Sequence, residues 1–142
     1  MNKCIFKATK LIKEFESLRL RAYLCPAKVW TIGWGHTKGV KKGMQITEEE
    51  AEKLLREDMQ DAIDVVERLN VDLNENQYNA LVSFVFNIGG SAFATSTMHR
   101  KILANPNDKK IKDEFLRWVY ADGKMLKGLE NRREKEAELY FS

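Results

Sequence analysis

The feature that most constrains the fold is Thr47-Glu48-Glu49-Glu50, a capping-box pattern with Thr47 at the N-cap and Glu50 three residues on. It opens a long amphipathic helix running to about residue 70, with Ala51, Leu54, Leu55, Ala62, Val65, Val66 and Leu69 on its inner stripe. This helix divides the chain. Before it, Pro26 and glycines at Gly33, Gly35, Gly39 and Gly43 punctuate the β-formers Val29, Trp30, Thr31 and Ile32, so the region reads as a small β-hairpin. Earlier still, Leu11, Phe15 and Leu18 fall at helical spacing, and roughly residues 3–17 read as a short amphipathic helix.

After the long helix the chain reads as helical throughout. Residues 78–86 are almost wholly apolar, fit a core helix, and end at Asn87-Ile88-Gly89-Gly90. Further helices are expected near 96–104, 108–119 and 129–140. The expected fold is α+β and predominantly helical, a single domain over residues 1–142. It has a small β-hairpin lobe at 14–46, a connecting helix at 47–70, and a helical lobe from 71–142 together with 1–13. A cleft between two such lobes suits an extended ligand.

Composition excludes several classes. A chain of 142 residues, 44% hydrophobic and 32% charged, is an ordinary globular protein that buries a core without metal or disulfide staples. A net charge of +3 helps against anionic polymers and selects none of them. Basic and acidic residues interleave, as across 124–138, and form no one-signed patch, which argues against a nucleic-acid module. Cys4 and Cys25 make no disulfide framework, and with His36 and His99 they lack zinc-ligand spacing, so neither metal nor cofactor is expected. The first ten residues hold no signal-type apolar run, and no segment approaches the ~20 apolar residues of a membrane span. The expectation is a monomer made in the cytosol without a signal peptide and without stable membrane association.

The chemistry concentrates between Glu16 and Thr31. Glu16 ends the first helix, beside the negative pole of the helix dipole and among Phe15 and Leu18. Dipole and desolvation both disfavour the carboxylate, and a carboxylic acid kept protonated near neutral pH is what general-acid cleavage of a glycosidic bond requires. Thr31 lies on the strand, and Cys25 stands before Pro26 on the turn side of the hairpin. Singly, each has an ordinary structural reading: a surface acid, a strand threonine, a small hydrophobe.

Jointly they form a pattern. Eight residues separate Glu16 from Cys25, five separate Cys25 from Thr31, and Ile32-Gly33-Trp34-Gly35-His36 follows. With the lead-in Phe15-Glu16-Ser17-Leu18-Arg19, this segment resembles the phage-type lysozymes, the endolysins of glycoside hydrolase family 24. The likeness continues through the long helix from Thr47, the core helix from Asn76 to Gly89, Phe115-Leu116-Arg117-Trp118 and Gly128-Leu129-Glu130-Asn131-Arg132-Arg133. It implies a lysozyme-like two-lobed fold and a muramidase acting on bacterial cell-wall peptidoglycan, cutting between N-acetylmuramic acid and N-acetylglucosamine with inversion. Glu16 would be the general acid, Thr31 would hold the attacking water, and Cys25 would take the place of the second catalytic group. Phe86, Asn87 and Ser96 match positions lining the family's sugar cleft, with plain core as the other reading of Phe86. A holin is the family's usual route to the wall.

Two residues depart from the family pattern: Cys25 stands where aspartate is usual, and Lys28 where a turn glycine is common. Cys25 is left with three roles: thiolate base, covalent nucleophile, or bystander. Two other functions compete with the muramidase, a Cys25/His36 cysteine peptidase or amidase and a non-catalytic glycan-binding module. His36 is expected to pair with Asp58 on the long helix and tie the lobes together. Arg132 or Arg133 is left with two roles, approach to Glu16 from the C-terminal helix or a place on the surface, and Trp118 is expected in the core.

Overall fold

In the computed structural model, which describes residues 3–142, the chain runs α1 (Phe6–Glu16), β1 (Arg19–Leu24), β2 (Trp30–Gly33), α2 (Glu48–Glu67) and α3 (Glu75–Ile88). It continues through α4 (Gly90–Ala94), α5 (Thr97–Ala104), α6 (Ile111–Phe115), β3 (Tyr120–Ala121), β4 (Lys124–Met125) and α7 (Lys127–Tyr140). The structure is predominantly helical with a small hairpin.

Helix α2 starts where its capping box places it. The Glu50 amide donates to Thr47 Oγ1 at 3.1 Å, and the Thr47 amide donates to Glu50 Oε1 at 3.0 Å. Two otherwise orphaned amides are satisfied, and Glu48, Glu49 and Glu50 meet the positive pole of the helix. Its buried stripe is Ala51, Leu55, Met59, Ala62 and Val66. Leu54 and Val65 flank the stripe, half-buried.

Helix α3 is the centre of the core, buried without interruption from Gln77 to Val85, and it packs against α1, α2 and α7. Asn74 and Gln77 form a second capping box at its start. The Phe84 ring makes edge-on contacts with Phe115 at 5.1 Å, Trp118 at 6.1 Å and Phe93 at 6.3 Å between centroids. Full burial stabilises side chains such as Leu81 and Phe84 by roughly 1.5–3 kcal/mol each, so α3 fixes the elements around it.

Buried Asn79 on α3 also anchors α1. Ile5, at the N-cap of α1, has no side-chain acceptor. Asn79 Oδ1 accepts from the Ala8 amide at 2.9 Å, while its Nδ2 donates to the Cys4 and Glu75 carbonyls, both at 2.8 Å. The other end of α1, which carries Glu16, is therefore held relative to α3. Ala8 and Ile12 face the core, whereas Leu11, Phe15 and Leu18 are only half-buried.

Strands β1 and β2 pair antiparallel with Tyr23 opposite Thr31 and Leu24 opposite Trp30. The turn between them is closed by the Lys28 amide on the Cys25 carbonyl at 2.8 Å and the Cys25 amide on the Val29 carbonyl at 3.1 Å. Lys28 takes φ +63° there, the left-handed conformation that glycine adopts without strain.

The expected helix at 108–119 is shorter than its pattern implied. It stops at Phe115, and the chain turns into the β3–β4 hairpin. The cause lies just beyond: Asp122 and Gly123, at φ +51° and +76°, make the two-residue turn that a hairpin favours, between β-formers Val119 and Tyr120 and strand β4. The short helix α4 also went unpredicted; it begins at Gly90 after Gly89, at φ +91°, ends α3.

Candidate active site

Glu16 is the last residue of α1, and Ser17, at φ +52°, breaks the helix behind it. The carboxyl is largely enclosed, with its side chain 17% exposed. Arg132 of α7 donates from Nη1 to Glu16 Oε2 at 2.6 Å, and is itself almost fully buried. On another side lies Gly35, just after β2. A Cβ placed there would stand 2.6 Å from Glu16 Oε1 and 2.8 Å from Cδ. The absence of a side chain at Gly35, which also sits at φ +78°, leaves the space the carboxyl occupies.

Glu16, Cys25 and Thr31 line one cleft of about 830 Å³, together with Phe86 and Asn87 from the end of α3. Helix α7 and the β3–β4 hairpin form its opposite wall. A second cavity of about 940 Å³ lies beside it, bordered by α2, and shares Gly35, Thr37, Phe86, Asn87 and Ile88 with the first. The two together make an extended groove, with the Glu16 carboxyl in one half.

Thr31 is 3% exposed, and its Oγ1 donates to the Val29 carbonyl at 2.9 Å. With its one proton so used, the hydroxyl presents only acceptor lone pairs to anything else. Cys25 is a free, half-buried thiol. Tyr23, paired across the hairpin with Thr31, lies near both acidic groups. Burial pushes its hydroxyl above the ordinary tyrosine value, with negative charge at Glu16 and Cys25 adding to the rise and Arg19, stacked 4.7 Å from the ring, opposing it.

The two adjacent arginines divide the work. Arg132 takes Glu16. Arg133 turns the other way, donating from Nε to the Trp118 carbonyl at 2.9 Å and from Nη2 to Asn87 Oδ1. Burial pulls the Arg133 guanidinium below its ordinary value, and the neighbouring carboxylate of Glu136 opposes that pull. Trp118 packs on Phe84 and also borders the cleft.

His36 Nδ1 lies 2.7 Å from Asp58 Oδ2 and Nε2 lies 3.0 Å from the Lys38 carbonyl. Both ring nitrogens are committed away from Cys25, so the nucleophile–base pair of a cysteine peptidase is not assembled. Ser96 stands apart from Phe86 and Asn87. It lines neither half of the groove, because its hydroxyl caps α5, accepting from the His99 amide at 3.1 Å and donating to the Phe93 carbonyl at 2.7 Å. Among the described residues, no group of three His, Cys, Asp or Glu side chains is placed to hold a metal.

Gly35, against the Glu16 carboxyl, and Glu136, bonded to both arginines, are positions to which sequence reading assigned no role. Gly35 lay inside the quoted motif but without a stated role. Glu136 had one indirect signal, the polar Ser83 in the apolar run 80–86 of α3, which required a buried partner.

Comparison with known proteins gives concordant results. The phage lysozyme family model matches residues 13–136. The endolysin of Acyrthosiphon pisum secondary endosymbiont phage 1 is 44% identical over 142 residues, covering 96% of each chain. The endolysin of Bacillus phage B103 is 43% identical over 93% of this chain, which spans 51% of that longer protein. Among solved structures, the muramidase domain of SpmX from Asticaccaulis excentricus superposes with a TM-score of 0.83 at 34% identity, over 99% of both chains.

Proposed function

The chain belongs to the phage lysozyme family, and from that premise we propose how its residues carry out catalysis. The protein is a peptidoglycan-degrading muramidase of host cell lysis. The bond cut is the β-1,4 link between N-acetylmuramic acid and N-acetylglucosamine. Glu16 protonates the leaving glycosidic oxygen as the bond to the anomeric carbon breaks. A water attacks the same carbon from the opposite face. One of its O–H groups donates to Thr31 Oγ1, whose own proton is already given to Val29. The other proton passes to the sulfur of Cys25, which acts as the thiolate and ends the step as the thiol, lining the same cleft. Once Glu16 has given up its proton, the Arg132 guanidinium stabilises the carboxylate that forms. Direct water attack gives inversion at the anomeric carbon.

The observation that carries this reading is the enclosed Glu16 carboxyl, held by Arg132 and lining one cleft with Thr31 and Cys25. Phe86 and Asn87, at the junction of the two half-grooves, contact the sugar chain. Passage to the wall through a holin lesion belongs to the same proposal and rests on the family alone. The test of the reading is Glu16→Gln on purified sacculi. Release of reducing ends falls by about 10³-fold or more, since the general acid is lost with little change of shape. Equal release by the variant and the wild type removes Glu16 from the mechanism.

A further inference from the structure

Behind the cleft a buried carboxylate, absent from the cleft lining, joins the two arginines that line it. Glu136 of α7 is fully buried, and both its oxygens are engaged. Oε2 accepts from Ser83 Oγ at 2.6 Å and from Arg132 Nε at 3.2 Å, and Oε1 accepts from Arg133 Nη1. Arg132 also donates from Nη2 to the Ser83 carbonyl at 3.3 Å. The two guanidiniums point their remaining donors in opposite directions, one to Glu16 and the other to Asn87. Two carboxylates and two guanidiniums thus alternate along one chain of contacts, Glu16–Arg132–Glu136–Arg133.

We infer that Glu136 is a positioning residue: a single buried carboxylate aims both the guanidinium that holds the catalytic acid and the one that orients the sugar-facing Asn87. Arg133 donates to Asn87 Oδ1, which leaves the amide N–H donors of this groove-lining residue for other partners. The charge matters as well as the shape. Glu16 is faced by Arg132 and Arg133 from α7, by Tyr23 and Cys25 from the hairpin, and by uncharged Gly35 beyond β2. His36, next along, is turned to Asp58, and Arg19 lies over the Tyr23 ring. Shared with Glu136, the Arg132 charge is divided between two carboxylates. Without Glu136 it falls on Glu16 alone, and the guanidinium loses the second anchor that fixes its direction.

This inference rests on Glu16 acting as the general acid, and its test separates the two claims. Kinetics are measured on soluble, uncrosslinked peptidoglycan fragments across pH. In Glu136→Gln, kcat falls at least about ten-fold and the alkaline limb of kcat/KM, where the general acid loses its proton, moves down by about half a pH unit or more. Glu136→Asp keeps the charge, and its alkaline limb stays at the wild-type position. A folded Glu136→Gln protein with wild-type kcat and pH profile overturns the inference while leaving the muramidase intact. Wild-type protein that releases no reducing ends overturns the function instead. If Glu136→Gln does not fold, Ser83→Ala decides. It removes only the hydroxyl on Oε2, keeps all four charges, and lowers kcat about three-fold; an unchanged kcat overturns the inference.

Discussion

Replacing Gly35 with alanine separates the fold's contribution from the site's. The new Cβ would stand 2.8 Å from Glu16 Cδ, so the carboxyl carbon must retreat by about 0.7 Å to reach the ~3.5 Å of ordinary carbon contact. Arg132, bonded to the far oxygen at 2.6 Å, resists that retreat or moves with it. A misplacement of 1 Å at a reacting group costs about 10²-fold in rate, so kcat in Gly35→Ala falls roughly 30- to 100-fold, or about 2–2.7 kcal/mol of barrier. Backbone strain comes in addition: alanine at φ +78° costs roughly 1–2 kcal/mol of stability, which at about 4 °C per kcal/mol lowers Tm by about 4–8 °C. Gly39→Ala is the matched control, because Gly39 sits at φ +69° with nothing within 4 Å of its would-be Cβ. It should lose similar stability and keep near-wild-type activity. The assay is reducing-end release from sacculi at a temperature where all three proteins are folded, with thermal unfolding followed by circular dichroism. If Gly35→Ala is as active as Gly39→Ala, the carboxyl does not need the space that glycine leaves, and the reasoning fails.

Two further predictions concern stability. Burial raises the Tyr78 and Tyr140 hydroxyls above the usual tyrosine value, and Tyr78 is raised further by its hydrogen bond to Glu67. The folded state therefore favours their protonated forms. That stability is present below pH ~10 and is lost above it at about 1.4 kcal/mol per pH unit per tyrosine, while Tyr78→Phe and Tyr140→Phe flatten the alkaline fall in urea-unfolding free energy. Asp58→Asn removes the charged partner of His36, both side chains being less than a fifth exposed, at a cost of about 1–3 kcal/mol read from the urea midpoint.

Where sequence reading succeeded, the signals were local. The Thr47–Glu50 capping box depends on residues three apart, and the hairpin turn on neighbours, so both were visible in the chain. The Glu16–Cys25–Thr31 spacing places three side chains on one helix end, one turn and one strand, and the fold brings them to one cleft. Long-range partners carried no such mark. Arg132 lies 116 residues from Glu16, and only the phase of α7 decides which of two adjacent arginines reaches it. That phase was obscured, because the buried side of α7 carries Arg132, Arg133 and Glu136 beside Ala137 and Tyr140 and does not read as apolar. Nothing in the pattern of 108–119 marks a stop at Phe115, because the Asp122-Gly123 turn that ends the helical run lies beyond it. Ser96 was assigned to the cleft by likeness, whereas its hydroxyl is used in capping α5.

The most direct test of the mechanism is the structure of the first product. Peptidoglycan is digested with wild-type protein, and the new reducing end is identified by mass spectrometry while its anomeric configuration is followed by proton NMR before mutarotation. The account predicts N-acetylmuramic acid at the new reducing end, released first as the α anomer, with Glu16→Gln releasing neither. A first-formed β anomer would contradict water attack and assign Cys25 as a covalent nucleophile. An N-acetylglucosamine reducing end, or a cut in the peptide, would contradict the muramidase itself.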